Sequence, residues 1–564
     1  MNKKIKILKA KFKKYNIDGY VVPKNDDYFT EYSKINRLKI ISNFSGSAGL
    51  AIILKNKNYL FTDGRYTIQS QIESGKNFKI INYEKIINCN LFKNLTLGID
   101  PKLFTYNQIK KYFLKNNKVK FINNNLVDEI ENQKINDSFP FFSLKKNIVG
   151  ENYTSKIDKI SKYLKKNKSD YLFVTAPENV AWILNIRGQD SPNSPIPNSR
   201  LIISKTKNII LICNRKKIKK IVREKKINLN KVIDVNDFSK TIIKLKGKNF
   251  IIDDKSCSIF YEDLIKSKFE ITKREDPTYL LKAIKNKNEI KNMINAHILD
   301  GAALTKFIYW IKNINKKQID EVQAQNKLEN FRKINKSYLY PSFDTIAGSG
   351  KNGAIVHYRA KKNNCKTIKK KDIFLCDSGG QYKYGTTDVT RTICFSKPKP
   401  QIKNIFTKVL KGHIAVANTN LKKDDIGKKI DARARKFLKK NNLDYAHGTG
   451  HGVGFFLNVH EGPQSISKLN KIKIKEGMIL SNEPGYYKKN NFGIRIENLV
   501  FVKRKNKKVY FENLTLVPIE KELINYKLLT HLEKNYLFNY HLNVYSKISK
   551  YLNLKERKWL ASFI

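Results

Sequence analysis

The stretch from His357 to Glu497 carries, in order, AIVHY, CDSGG, TTDVTRT, HGTGHGVG, NVHEG, SNEPGYY and GIRIEN. Five residues in it have side chains suited to binding metal: Asp377, Asp388, His451, Glu483 and Glu497. Four carboxylates and one imidazole make a hard, oxygen-rich set. Carboxylates suit Mg, Ca or Mn, and imidazole suits Zn, Fe or Mn. Four negative charges exceed what one divalent ion needs; they suit two ions sharing bridging carboxylates roughly 3.5–4 Å apart, as in two-metal hydrolases. Taken singly, an Asp at a strand end is a turn former and a Gly-flanked His is structural. Five such residues in order, each at a strand end or in a Gly-rich turn, are hard to explain that way.

The flanking sequence predicts the elements that must position them. DIFLCD, ending at Asp377, is an apolar run bounded by polar residues, a buried strand. SGGQYKYGT then supplies turn residues, and Asp388 opens a second strand, DVTRTICF, so that a hairpin-like return brings both carboxylates together. Glu483 ends the apolar run GMILSNE, which Pro484-Gly485 stops. Glu497 lies within GIRIENLVFV, where strand alternation places Arg495 and Glu497 on one face. His451 sits among glycines, where backbone approaches a ligand closely. Five of the eight histidines fall between residues 357 and 460: His357, His413, His447, His451 and His460. His413 lies on a predicted helix and reads as structural. His357, His447 and His460, in loop-like or Gly-rich sequence, are candidates for contacting a substrate over the metals.

At 564 residues the chain has room for two to four domains. Lys and Arg number 111 against 49 Asp and Glu, a formal net charge of +62. Such an excess can mark a nucleic-acid or anionic-membrane partner. Here lysine is spread along the whole chain beside abundant Asn and Ile, residue types that share A/T-rich codons. That pattern reads as genomic composition, and no nucleic-acid partner is expected. The six cysteines, at 89, 213, 257, 365, 376 and 394, form no CxxC pair and suggest no disulfide framework, which fits a reducing cytosol. The basic N-terminus is followed by no signal-peptide apolar core, and no apolar run is long enough to span a bilayer. A soluble cytoplasmic protein without a membrane partner is expected.

Residues 3–16 predict a short basic helix with Ile5, Leu8 and Phe12 on one side, followed by the strand DGYVVP. Residues 155–175 repeat the plan, basic helix then apolar strand, which predicts two related α/β domains with the second starting near residue 150. In the first, Arg65 follows the turn signal Asp63-Gly64; an ion pair is favoured there over a substrate contact. Asp276-Pro277 marks the next boundary, with Asp as N-cap and Pro at the first helical position. A long amphipathic helix running from Ile290 to Ile311 then opens the domain that holds the metal candidates. After Pro518 a C-terminal extension of helical pattern follows.

The order Asp…Asp…His…Glu…Glu, with HGTGHGVG, NVHEGP, EPGYY and GIRIEN, resembles the metal-dependent peptidases of the pita-bread fold, family M24. Within them it is similar to the Xaa-Pro aminopeptidases of the long, three-domain cytosolic type. NFSGSAGLAII and TDGRY resemble that family's N-terminal motifs, and LTLVPIE and the tail resemble its C-terminal extension. The resemblance implies an α/β multidomain chain: two related creatinase-N-like α/β domains at 1–148 and 149–275, a pita-bread (α+β) metallopeptidase domain at 276–512, and a C-terminal extension at 513–564. It implies two divalent ions, usually manganese, with zinc or cobalt as alternatives. Asp377 should bind one ion, Asp388 and Glu497 should bridge both, and His451 and Glu483 should complete the other. Glu483 would act as general base towards a metal-activated water, and His357 and His460 would hold the peptide and stabilise the developing charge. His447 is a pocket candidate, Arg495 would orient a ligand carboxylate, and Arg65 matches a position that contacts peptide. The implied reaction is hydrolysis of the N-terminal Xaa-Pro bond of peptides with proline at position 2, by a homodimer. A prolidase acting on Xaa-Pro dipeptides is the alternative, with a non-catalytic peptide-binding relative behind it. A binding relative would be expected to lack the metal residues, and this chain has all five.

Overall fold

The computed structural model describes residues 3–87, 90–131, 139–314 and 319–564, so Cys89 lies outside the described residues. The chain falls into two compact units, Met1–Tyr279 and Leu280–Ile564.

In the first unit the basic opening segment forms two short helices, Lys3–Ala10 and Phe12–Tyr15, which bury Ile5, Leu8 and Phe12. These side chains share a core with Tyr20 and Val22 of the strand Gly19–Pro23. That strand pairs antiparallel with Leu50–Leu54 and parallel with Thr96–Ile99. The plan recurs further along. Helix Tyr153–Lys166 precedes strand Tyr171–Val174, which pairs antiparallel with Arg200–Ser204 and parallel with Asn249–Ile252. Both sheets have six strands, with the same order and the same polarity at each step. The sequence echo is therefore one topology built twice, and its cause is the same in both: an amphipathic helix must cover the apolar strand that follows it.

The second unit opens with helix Lys287–Asn313 (α1), started by a capping box of Asn286 and Glu289. Its Met293, Leu304, Phe307, Ile308 and Ile311 are buried. Helix Glu321–Lys333 (α2) follows. Strands Ile346–Ser349 (β1), Ile373–Ser378 (β2) and Val389–Cys394 (β3) form an antiparallel sheet with β2 in the middle. Helices Pro400–Ala417 (α3) and Gly427–Lys439 (α4) pack together. Then come Gly450–Gly452 (β4), Glu461–Ile466 (β5), Ile479–Asn482 (β6), Gly485–Lys488 (β7), Phe492–Arg495 (β8), Asn498–Lys505 (β9) and Lys508–Asn513 (β10). A five-stranded sheet runs in the order β5-β4-β6-β9-β10, while β7 and β8 form a separate hairpin. The C-terminal helices His531–Ile548 (α5) and Leu554–Ala561 (α6) complete the unit. Leu537, Tyr540, Val544 and Ile548 of α5 share one core with Phe406, Val409 and Leu410 of α3, so the tail is packed structure.

One expected strand is divided. GIRIENLVFV changes sheets: β8 ends at Arg495 and β9 begins at Asn498. Between them Ile496 N donates to Pro484 O and Glu497 N to Thr390 O. The crossover takes Glu497 out of both ladders and ties its backbone to β3. Among the described residues no helix is long and apolar enough to cross a membrane, and the described cysteines are free thiols.

Candidate metal centre

The five metal candidates come from the ends and edges of the two sheets. Asp377 lies in β2 opposite Thr390 of β3, and Asp388 immediately precedes β3. His451 is the middle residue of β4. Glu483 follows β6 and Glu497 precedes β9; Asn482 and Asn498 are register partners, so the two glutamates occupy the next positions outward. The glycines flanking His451 allow β4 to be squeezed between its neighbours. A Cβ on Gly450 would lie 1.9 Å from Ser481 O, and one on Gly452 would lie 2.3 Å from Glu461 O. Only glycine fits there.

His451 Nε2 lies 3.5 Å from Asp388 Oδ2 and 3.6 Å from Glu483 Oε1. Ligand atoms of Asp388, His451 and Glu497 all fall within 4.8 Å of one another. His451 Nδ1 is 3.0 Å from Gly452 O; donation of its N–H to that carbonyl leaves Nε2 as the atom that can ligate. Asp377 joins the group through Arg495, whose Nη2 donates to Asp377 Oδ2. The other oxygen, Asp377 Oδ1, is buried with no hydrogen-bond partner. Glu497 Oε2 accepts from Thr390 Oγ1 at 2.7 Å, and Thr390 Oγ1 accepts in turn from Arg495 Nε at 3.0 Å. Ser481 Oγ donates to Glu483 Oε1 at 3.0 Å.

The electrostatics show an excess of acid. Burial, together with the charges of Asp388 and Glu483, pushes Asp377 up to about 7 even with Arg495 against it. Burial and the same neighbours drive Glu497 well above the carboxylate range. Burial opposes charge on Glu483 too, but His451 and Arg495 hold it below its ordinary value. For His451, burial disfavours the charged ring, yet its hydrogen bond to Asp388 and the charge of Glu483 raise it to about 9. Four carboxylates in one buried place cannot all ionise unless cations join them. Without metal, Arg495 and the protonated His451 supply positive charge. Divalent ions would supply the rest, and the unpartnered Asp377 oxygen and the ligating nitrogen of His451 fit them.

The other expected residues are placed as follows. His460 stacks edge-on to His451, ring centroids 4.4 Å apart at 88°. His357 sits half-buried just after the turn at Gly350–Ala354. Gly353 of that turn lies so close to Gly493 of β8 that a Cβ on Gly493 would be 1.7 Å from Gly353 O. His447 has both ring nitrogens engaged inside the protein: Nδ1 is 2.7 Å from Gly448 O, and Nε2 is 2.9 Å from Tyr487 Oη. Burial lowers it to about 4 and keeps it neutral, with Nδ1 3.9 Å from Glu483 Oε2. Arg495 Nη1 donates to that same Tyr487 Oη at 2.6 Å, so Asp377, Arg495, Tyr487 and His447 form one chain of hydrogen bonds. His413 is buried on α3, with Nδ1 3.1 Å from Asn482 O, while Asn482 Nδ2 returns a bond to His413 O at 2.9 Å. It is a brace between α3 and the end of β6, next to Glu483. In the first unit Arg65 grips Asp63 with two bonds, Nε to Oδ1 at 3.0 Å and Nη2 to Oδ2 at 2.7 Å.

Sequence reasoning missed Thr390, Arg391 and Tyr487. The signal for Thr390 was available. In a strand, TRT places Thr390 and Thr392 on one face, and their hydroxyls bond the Glu497 carboxylate and the Arg495 carbonyl. Tyr487 left no comparable trace: Arg495 is its hairpin neighbour, but His447, 40 positions away, is not marked by any local pattern.

The comparisons with known proteins agree with this geometry. Residues 291–504 match metallopeptidase family M24, and residues 507–562 match the C-terminal region of peptidase M24. Residues 4–130 and 131–289 each match a creatinase/prolidase N-terminal domain. The chain is 37% identical to a probable Xaa-Pro aminopeptidase P of Laccaria bicolor, over 98% of this chain and 91% of that one. It is 36% identical to Xaa-Pro aminopeptidase 1 of Dictyostelium discoideum, over 100% of this chain and 96% of that one. Its fold is that of the X-prolyl aminopeptidase of Caenorhabditis elegans, described as a cytosolic enzyme with a di-nuclear active site. The TM-score is 0.91, with 28% identity, covering 99% of this chain and 98% of that one. With both N-terminal domains, the pita-bread peptidase domain and the C-terminal region all matched along its length, the chain belongs to the Xaa-Pro aminopeptidase P family of the M24 metallopeptidases.

Proposed function

We propose that this chain is an aminopeptidase with a pair of divalent ions, hydrolysing the N-terminal Xaa-Pro bond of peptides. The observation that carries the reading is the buried convergence of Asp388, His451 and Glu497, with Glu483 and Asp377 beside them and one guanidinium against four carboxylates. The substrate class follows from the full-length likeness to Xaa-Pro aminopeptidases. Asp377 would hold one ion, Asp388 and Glu497 would be shared by the pair, and His451 and Glu483 would hold the other; manganese would be the preferred metal, with zinc or cobalt able to replace it. When bound, such ions supply a Lewis acid for the scissile carbonyl and lower the pKa of the attacking water.

The remaining work falls to the chain's own residues. Glu483, placed beside His451, takes the proton from the water. His357 and His460 hold the peptide and stabilise charge on the carbonyl oxygen. His447 packs behind Glu483, and Arg495 fixes Asp377 by its short hydrogen bond. Arg65 contacts the far part of the peptide. The enzyme works in the cytoplasm as a homodimer, and its parts are 1–148, 149–275, 276–512 and 513–564.

The bond before proline has a ring nitrogen without N–H, so the enzyme must grip the rest of the peptide. Longer peptides offer more such contacts, and remote binding can orient the reacting bond. The test is kcat/KM for Xaa-Pro and Xaa-Pro-Pro measured in parallel with Mn, Zn and Co. Faster cleavage of the tripeptide supports the aminopeptidase; a better dipeptide substrate makes the enzyme a prolidase.

A further inference from the structure

Arg391 is buried and fully engaged, with no carboxylate among its partners. Its Nε donates to Pro518 O at 3.0 Å, and its Nη1 to Thr390 O at 2.8 Å and Glu497 O at 2.6 Å. Its Nη2 shares its two N–H groups among Asn498 Oδ1 at 2.8 Å, Val517 O at 2.8 Å and Tyr540 Oη at 2.9 Å. Half of this shell belongs to the metal centre. Glu497 O and Asn498 Oδ1 lie at the crossover into β9, and Thr390 O also accepts from Glu497 N at 3.1 Å. The other half belongs to the C-terminal region, through Val517, Pro518 and Tyr540 of α5. Tyr540 Oη in turn donates to Val517 O at 2.7 Å. One guanidinium therefore fastens the α5 region to the backbone of Glu497.

A planar guanidinium has five N–H donors in fixed directions and holds its acceptors rigidly. A buried N–H that loses its acceptor is costly, so the shell moves as a unit. Glu497 is out of both ladders, and its position depends on these bonds rather than on strand pairing.

We infer that Tyr540 is a positioning residue for the metal centre: with the Val517 and Pro518 carbonyls it completes the shell of Arg391, and Arg391 fixes the main chain of Glu497. The C-terminal region then serves ion binding as well as packing. This rests on the two-ion reading of the site, and the two fail separately. If wild-type protein binds no manganese, the reading is wrong; if it binds manganese and Tyr540 does not matter, only this inference is wrong.

The variant Tyr540→Phe keeps the ring and removes the hydroxyl. Residues that orient metal ligands from behind cost about 10–100-fold in affinity when altered. Equilibrium dialysis with MnCl2 should show half-saturation at about tenfold higher metal for Tyr540→Phe, with KM for Xaa-Pro-Pro at saturating metal unchanged. The comparison is Val544→Ala, on the same helix and fully buried, which leaves a cavity but removes no hydrogen-bonding group from the shell of Arg391. It should lower Tm and leave the manganese midpoint where it is. A merely structural Tyr540 would behave like Val544, with lower Tm and an unmoved midpoint, and that result overturns the inference. The wild-type protein gives a second test, since coupling is reciprocal. Manganese should slow amide exchange in residues 515–519 and around Tyr540, and leave exchange in α4 unchanged. No slowing at 515–519 would equally overturn it.

Discussion

Among its described residues, the second unit holds two groups of acids that could be mistaken for one another. One is the Asp377, Asp388, Glu483 and Glu497 cluster with His451. The other joins Cys394, Glu520 and Glu522. They differ in where the positive charge comes from. In the second group Lys312 Nζ lies 2.6 Å from Glu520 Oε2 and 3.4 Å from Glu522 Oε1, and burial raises the Cys394 thiol far from its thiolate. A lysine pairs with the buried Glu520, and Glu522 is half open to solvent, which screens its charge. In the first group one arginine faces four carboxylates, and an oxygen of Asp377 is left without a partner. An acidic cluster is a metal site when the protein leaves its charge unbalanced, and an ion pair when the protein balances it.

The comparison can be broken most sharply at Asp388. Asp388→Asn removes the carboxylate proposed to be shared by both ions, and activity should fall by more than ~10²-fold, beyond the range for residues that only orient ligands. Metal analysis should show the pair emptied while the protein stays folded. Near-normal turnover with full occupancy would show that Asp388 does not bridge.

His460→Ala and His357→Ala should cut kcat by ~10²-fold, the scale for losing an oxyanion or proton-transfer group. Both ions should stay bound, which separates these residues from the ligands. Metal loss in either variant would place that histidine in the ion-holding set instead.

Metal removal should expose the unbalanced charge as a pH dependence. Asp377, raised to about 7, keeps a proton in the fold that the unfolded chain releases near pH ~4. Rising pH between those values therefore favours unfolding. His451, raised to about 9, keeps a proton that the unfolded chain loses above pH ~6.5, so its contribution also fades as pH rises towards 9. Divalent ions displace those protons and bind more tightly as pH rises. The Tm difference between metal-loaded and chelator-treated protein should widen from pH 5 to 9. A gap that is constant or narrows would contradict the charge assignment.

The smallest effect on activity is expected at the other cluster. Lys312→Met leaves Glu520 buried without its cation, which should cost ~3 kcal/mol of stability and lower Tm. Turnover and metal content should stay within twofold of wild type. A large loss of bound metal would show that the second group also holds an ion.

Much of this contrast was legible in the sequence, and for a physical reason. Asp377, Asp388, His451 and Glu483 sit at strand ends or among glycines, and local patterns mark such places: the apolar run before Asp377, the Pro-Gly stop after Glu483, the glycines around His451. The repeated helix-then-strand plan of the first unit was legible because each helix buries its own following strand. Glu497 was harder. Its segment has the alternation of a single strand, and only the competition between β7 and β6 for partners splits it. The hydrogen bonds of Arg391 and Tyr487 were not legible at all, since they join residues up to 149 positions apart. Lys312 and Glu520 pair over 208 positions, so the sequence could not show that the buried glutamate of the second cluster already faces a lysine.

The most direct test of the central claim is the stoichiometry of metal binding. Metal-free wild-type protein and Asp388→Asn would be dialysed against MnCl2, and bound manganese counted per chain alongside turnover of Xaa-Pro-Pro. The account predicts two ions per wild-type chain, activity that rises as they load, and neither ion retained by Asp388→Asn. A single ion at saturation, or full turnover with none bound, would contradict it.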